Sequence, residues 1–241
     1  MNIASRDSEG ISALLAQIPL FSALSAEELL EIAGEARVVR AQKGEVVSQR
    51  GDRPQGCFCV IVGQVKLALL SAAGFEKVVD IASPGMTFAE ALMFVDQPCP
   101  VYAQALTNTT LLFVPEGPIM AALDRSSAFA RRMLAGVCRR LHQMLLDLES
   151  QCLQPAAQRV IGYLLREVEA QHSSLRRTVR VKLPVSKAII ASHLNVTPET
   201  LSRTLGFLTE RGLISVKGPH ILVHDVESLR ACGRERKTTF S

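Results

Sequence analysis

The sequence predicts an α+β chain in which a β-rich N-terminal part is joined by one long helix to a C-terminal winged helix-turn-helix. Three observations carry that expectation. Between Arg37 and Val114, short runs rich in Val, Ile, Leu and Phe are punctuated by Gly44, Gly51, Gly56, Gly63, Gly74 and Gly85, the cadence of a small antiparallel sandwich or barrel. Ser126 to Cys152 reads as a single helix with no internal proline. From Ser186 to Arg211, two short helical patterns flank Leu194-Asn195-Val196, and a strand-turn-strand pattern follows directly.

Composition bounds the rest. With 241 residues and 48% hydrophobic content the chain buries a full core, and its length leans toward two modest domains. No run approaches the ~18 uninterrupted apolar residues of a membrane span. The N-terminal MNIASRDSEG lacks the basic-then-apolar layout of a signal peptide, so a cytoplasmic location without membrane contact is expected. Cys57, Cys59, Cys99, Cys138, Cys152 and Cys232 form no C-x-x-C pair, and neither a disulfide framework nor a common zinc pattern is suggested. The charge is split: residues 154–241 hold 14 Lys+Arg against 7 Asp+Glu, or +7, and residues 1–153 hold 13 against 16, or −3. A basic module on a slightly acidic body is the footprint of a phosphate-binding part attached to something else. None of G-x-S-x-G, H-E-x-x-H, a P-loop or G-x-G-x-x-G occurs, so no enzyme is expected.

Along the chain, Ser25 is placed to cap a helix with Glu28 as its capping-box partner and Leu29, Leu30 and Ile32 as its apolar side. The interior of the barrel that follows is filled by side chains or by one small ligand. Cys57-x-Cys59 puts two thiols on one face of a strand, either as buried hydrophobes or as soft-metal ligands. In the long helix, Leu134, Val137, Leu141, Met144 and Leu148 step by 3, 4, 3 and 4, the spacing of a two-stranded coiled coil, which predicts a homodimer seam. Phe129, Met133 and Leu145 supply a second apolar side for packing on the body of the same chain. Gln154-Pro155 breaks the helix and marks a domain boundary, and a further helix from Gln158 to Gln171 opens the C-terminal module.

In that module Ser186 is placed to cap the first helix, and Asn195 tolerates the left-handed turn that follows it. Thr197, Pro198 and Glu199 supply an N-cap, a proline at the first helical position and an acid in the first turn of the second helix. At about 100° per residue, Leu201, Leu205 and Leu208 fall on one side and Glu199, Ser202, Arg203 and Gly206 on the other. Such a narrow polar face suits the major groove: Arg reaches guanine O6/N7, Glu accepts from cytosine N4, and Ser meets base or phosphate. A solvated helix face is the plain alternative. Leu213 to Val216 and Ile221 to Val223 flank Lys217-Gly218-Pro219-His220, the hairpin of a wing. The DNA-contacting set is then Ser186, Thr197, Glu199, Thr200, Ser202, Arg203 and, from the wing, Lys217.

These elements in this order resemble the catabolite-activator/fumarate-nitrate-regulator (CRP/FNR) superfamily of transcription regulators over nearly the whole chain. The resemblance rests on PLFSALSAEEL, on KGEVVSQRGDRPQGCFCVIVGQVKLALL, on the long helix and on the winged helix. It implies an N-terminal β-roll sensor, like the cyclic-nucleotide-binding domain and built as a double-stranded β-helix, over 1–125. It further implies a dimerisation helix over 126–153, a winged-helix DNA-binding domain over 154–241, a palindromic operator in double-stranded DNA, and RNA polymerase as a protein partner. Glu199-x-x-Ser202-Arg203 resembles the reading triplet of the fumarate-nitrate branch, which recognises TTGAT-type half-sites. Pro198 stands where the catabolite branch has an arginine.

The resemblance places the effector pocket around Phe88, Glu90, Pro100 and Val101. Where cyclic-nucleotide binders have Gly-Glu and Arg-Ser, this sequence has Ala89-Glu90 and Pro100-Val101, and an apolar pair offers a buried phosphate no charge-assisted partner. Cyclic AMP is therefore not expected. An iron-sulfur cluster is not expected either, because the first cysteine is Cys57 and the usual N-terminal cysteine group is missing. Thr87 to Asp96, Leu141-His142-Gln143 and His193-Leu194 resemble the dissimilatory nitrate respiration regulator (DNR) branch, which implies haem and nitric oxide sensing. Iron then needs an axial donor among His142, His172, His193, His220 and His224, with His142 or His193 as the ligand carried forward. Each has another reading: His142 as a solvated flank of the seam, His193 as a cation in a last helical turn, His220 as a phosphate contact. The alternatives left open are a cyclic-nucleotide-binding or redox-responsive regulator of the same fold, or a ligand-binding module gating a protein partner.

Overall fold

The computed structural model describes residues 8–95, 97–171, 178–183 and 185–234. The chain divides into two compact units that part within one helix, between Gln143 and Met144. The first unit opens with helices α1 (Ser8–Ala16) and α2 (Ala26–Glu35). Strands β1 (Arg37–Ala41), β2 (Val46–Ser48), β3 (Gly56–Val62), β4 (Val65–Leu70), β5 (Glu76–Ala82) and β6 (Thr87–Phe88) follow. A 3-10 turn over Glu90–Phe94 leads to β7 (Tyr102–Ala105), β8 (Thr109–Pro115) and helix α3 (Glu116–Arg125). The strands pair antiparallel in two sheets, ordered β1-β8-β3-β6 and β2-β7-β4-β5.

Local signals set the entry to this unit. Ser25 Oγ accepts from the Glu28 N–H at 3.2 Å, and the Glu28 carboxylate accepts from the Ser25 N–H at 2.7 Å, the reciprocal capping box. Leu29 and Ile32 are buried as expected, but Leu30 is 43% exposed, and Ala33 completes the buried face because positions i, i+3 and i+4 share one side.

Alternation along a strand then builds two cores from two strands. Phe58, Val60, Leu111 and Phe113 point between the sheets, where they meet Val65, Leu67 and Phe88. Cys57, Cys59, Leu112 and Val114 point the other way, against Leu15, Ile32, Ile119, Phe129 and Met133. The sandwich interior is filled by rings: Phe58 stacks on Phe88 and meets Phe113 edge-on, both at centroid separations of 5.0 Å. Gly63, at φ 90°, is required by the β3–β4 turn, since a Cβ there would lie 2.5 Å from Thr109 Oγ1.

Helix α4 (Ser127–Leu153) belongs to both units. Ser126 caps it, its Oγ accepting from the Phe129 N–H at 3.2 Å. Phe129 and Met133 are buried against the first unit. Leu145, expected on that same side, is 56% exposed. The inward stripe continues from Met133 to Arg140, and Leu145 lies about 140° around the helix from Arg140. Leu134, Leu141, Met144 and Leu148 are all exposed and Val137 is half-buried.

In the second unit α4 gives way at Gln154-Pro155 to α5 (Ala156–Gln171), which starts two residues before the expected Gln158. Strand β9 (Val179–Lys182), helices α6 (Lys187–His193) and α7 (Pro198–Glu210), strands β10 (Ile214–Lys217) and β11 (His220–Val223) and helix α8 (Val226–Arg234) complete it. The wing is an antiparallel sheet ordered β10-β11-β9. Val160, Leu164, Ile190, Leu201, Leu205, Leu208, Ile221 and Leu229 form its core. Among the described residues no helix is long and apolar enough to cross a membrane.

Candidate nucleic-acid interface and sensor cleft

The turn between α6 and α7 rests on Asn195, whose φ of 55° is left-handed, a conformation that a short polar side chain tolerates. Thr197 caps α7, its Oγ1 accepting from the Thr200 N–H at 3.1 Å, and Pro198 occupies the first helical position. Ser186 sits at the N-cap of α6 with extended backbone, yet its side chain makes no capping bond.

Leu201, Leu205 and Leu208 are buried as predicted, together with Thr204, whose Oγ1 donates to the Thr200 carbonyl at 2.9 Å. Glu199, Ser202, Arg203 and Gly206 are exposed along the opposite side. The Glu199 carboxyl is held below its ordinary value by its own backbone N–H and by the Thr197 hydroxyl, so it presents an anion in the first turn. Thr197 is exposed, Thr200 half-buried, and Lys217 exposed at the tip of the wing. Arg180 and Lys182 face outward from β9 and add basic groups to the wing sheet. Their signal was the VRVK alternation, too short to distinguish from loop without its partner strand β11.

The four residues expected around an effector do not converge. Phe88 belongs to the filled sandwich interior, Val101 packs at its margin, and Pro100 is exposed. Glu90 is only 8% exposed and turns toward α4. There Arg140 donates to Glu90 Oε1 at 3.0 Å, to Asp80 Oδ2 at 2.5 Å and to the Thr87 carbonyl at 2.8 Å. Burial works against the Arg140 charge, and the Glu90 and Asp80 carboxylates more than restore it. Glu90 Oε2 is buried with no partner among the described residues. Just before it, Ala89 adopts φ 69°, ψ 0°, a left-handed conformation that costs a residue with a Cβ about 1–2 kcal/mol. Beside this clamp lies a cleft of ≈ 450 Å³ lined by Leu20, Met86, Thr87, Glu90, Met133, Val137 and Arg140 among others.

The described histidines do not fit a haem in that cleft. None of them lines it; His142 is exposed on α4, and His193, His220 and His224 belong to the second unit. His193 ends α6, His220 is exposed on the wing, and His224 Nε2 pairs with Ser215 Oγ at 2.8 Å. His172 and Asp96 lie outside the described residues. Cys57 and Cys59 are fully buried, and the Cys57 thiol is pushed well up by its hydrogen bond with Cys59 and by burial, which disfavours the thiolate that a metal requires.

Residues 158–232 match the family model described as a Crp-like helix-turn-helix domain, and residues 38–126 match that of the cyclic nucleotide-binding domain. The chain belongs to the CRP/FNR family of transcription regulators. It is 28% identical over 201 residues to the nitrogen fixation regulation protein FixK of Rhizobium meliloti, an alignment that covers 83% of this chain and 89% of FixK. The structure of FixK2 from Bradyrhizobium japonicum superposes with a TM-score of 0.71 at 21% identity, covering 81% of this chain and 96% of that one. The sensor domain of the transcriptional regulator DNR from Pseudomonas aeruginosa is 29% identical with a TM-score of 0.53, covering 57% of this chain and 93% of the domain. CRP/FNR regulators bind DNA as dimers. As a CRP/FNR regulator this chain is a DNA-binding protein and not an enzyme.

Proposed function

We propose that this CRP/FNR regulator is a homodimer reading TTGAT-like half-sites of a palindromic operator. Its sensor spans 1–125, its dimerisation helix 126–153 and its DNA-reading domain 154–241, and RNA polymerase is its protein partner. The observation that carries the reading is the exposed strip of Glu199, Ser202 and Arg203 on a capped α7 whose opposite side is fully packed. Ser186, Thr197, Thr200 and Lys217 flank that strip as phosphate contacts, which position the helix without reading sequence. The seam is Leu134, Val137, Leu141, Met144 and Leu148, an apolar stripe that a second copy of the same helix would cover.

The sensor cleft beside Arg140 is the effector site in this reading, and the identity with the DNR sensor domain favours that branch. Haem enters only through that likeness, and none of the described histidines lines the cleft; protein incubated with haem and freed of unbound haem by gel filtration should carry no Soret band. The operator reading is tested by titrating the chain on a TTGAT palindrome and on versions changed at the guanine, at two salt concentrations. Arg203→Ala should cost on the order of 1–3 kcal/mol and relax preference at that guanine. Lys217→Ala should weaken all sites alike and reduce the salt dependence. Uniform loss across the sites for Arg203→Ala would move that residue to the phosphate backbone and remove the TTGAT assignment.

A further inference from the structure

One guanidinium in the second unit joins the helix that carries the seam to the turn that sets the reading helix. Arg159, in the first turn of α5, donates from Nη1 to the Gln151 carbonyl at 2.8 Å and from Nη2 to the Asn195 carbonyl at 3.0 Å. Gln151 lies in the last turn of α4, where carbonyls have no intrahelical partner and a cation is favoured. Asn195 is the left-handed residue on which the α6–α7 turn depends. Among the described residues Arg159 Nε is buried with no partner, a cost that the side chain bears while its two terminal nitrogens hold separate elements.

We propose that Arg159 is the positioning residue that fixes α7 against the C-terminal end of α4, and so sets the spacing between the two half-sites that the dimer accepts. The proposal rests on the dimeric reading given above. In a two-fold dimer the separation of the reading helices follows from how each is carried on the helix that forms the seam. The planar fork of Arg addresses two carbonyls at fixed directions; a Lys ammonium reaches one point and leaves the other free to shift.

The test uses the full chain and two variants, Arg159→Lys and Arg159→Gln. Binding is measured on paired TTGAT half-sites whose spacer is lengthened or shortened by single base pairs, and on a lone half-site. The variants should lose about tenfold of the preference for the best spacer, the effect of one charge-assisted hydrogen bond, with lone half-site affinity unchanged. Hydrogen exchange without DNA gives an independent arm. The Asn195 and Val196 amides, bonded to the Ser192 and Ala191 carbonyls at 3.2 and 3.0 Å, should exchange about tenfold faster while amides in the middle of α7 do not change. Equal loss at every spacer, or an unchanged spacer profile, would overturn the positioning role. A wild-type chain indifferent to TTGAT would remove the half-site assignment, and the exchange arm would still decide: faster exchange at Asn195 and Val196 supports the anchor, and unchanged exchange removes it.

Discussion

Replacing Arg140 with Met tests whether the clamp between α4 and the strands of the first unit is a buried ion pair or a surface one. Arg140 and Asp80 are each about one-third exposed at the side chain, so that pair contributes little, as solvent-screened pairs do. Glu90 differs: its side chain is 10% exposed, and Oε2 already lacks a partner. Removing the guanidinium strands a buried carboxylate, which costs about 3–5 kcal/mol. For a chain of this size about 2–4 °C of melting temperature is lost per kcal/mol, so the transition of the first unit should fall by on the order of 10 °C. Scanning calorimetry on wild type, Arg140→Met, Glu90→Gln and the double variant closes the cycle. The double variant should be much less destabilised than the two single losses added together, with a coupling of about 1–3 kcal/mol. Additive losses, or a shift of under about 2 °C for Arg140→Met, would show that solvent screens Glu90 and that the clamp holds nothing.

Leu141→Glu places two facing carboxylates at the centre of the proposed seam, a desolvation cost of several kcal/mol, and sedimentation should show monomer at micromolar concentration; a tight dimer would refute the seam as drawn. Ala89→Gly relieves the left-handed strain at φ 69° and should stabilise the first unit by about 0.5–1 kcal/mol after the entropy cost in the unfolded chain, read as a raised urea midpoint. Burial pushes the Glu76 carboxyl up, but the bonds from Lys66, at 2.5 Å, and from Tyr102 more than reverse this and leave it below its ordinary 4.5. Its contribution is therefore full above pH 4.5 and is lost as pH falls through the lowered value, so the stability gap between wild type and Lys66→Met should narrow on acidification below pH 4.5. A gap that stayed constant from pH 7 down to about pH 2.5 would dissociate Glu76 from that pairing.

The features legible in the amino-acid chain are those that a window of a few residues encodes. The Ser25–Glu28 box, the left-handed Asn195, the Thr197-Pro198 start of α7 and the hairpin of the wing involve partners within four residues or one turn, so local chemistry specifies them. The periodicity of α7 separated Leu201, Leu205 and Leu208 from Glu199, Ser202 and Arg203 for the same reason. Periodicity gives the angle between side chains on one helix, but not which side meets the rest of the molecule. Leu30 and Leu145 were assigned to buried faces on that basis, and both are exposed because the packed stripe passes through Ala33 and Arg140 instead. The charged contacts emerge only once the chain has folded. Arg140 meets Glu90 and Asp80 across 50 and 60 residues, and Arg159 meets Asn195 across 36. A guanidinium in a helical pattern carries no local mark of its partner, since a carboxylate or carbonyl far along the chain becomes its neighbour only after the sheets and helices have packed.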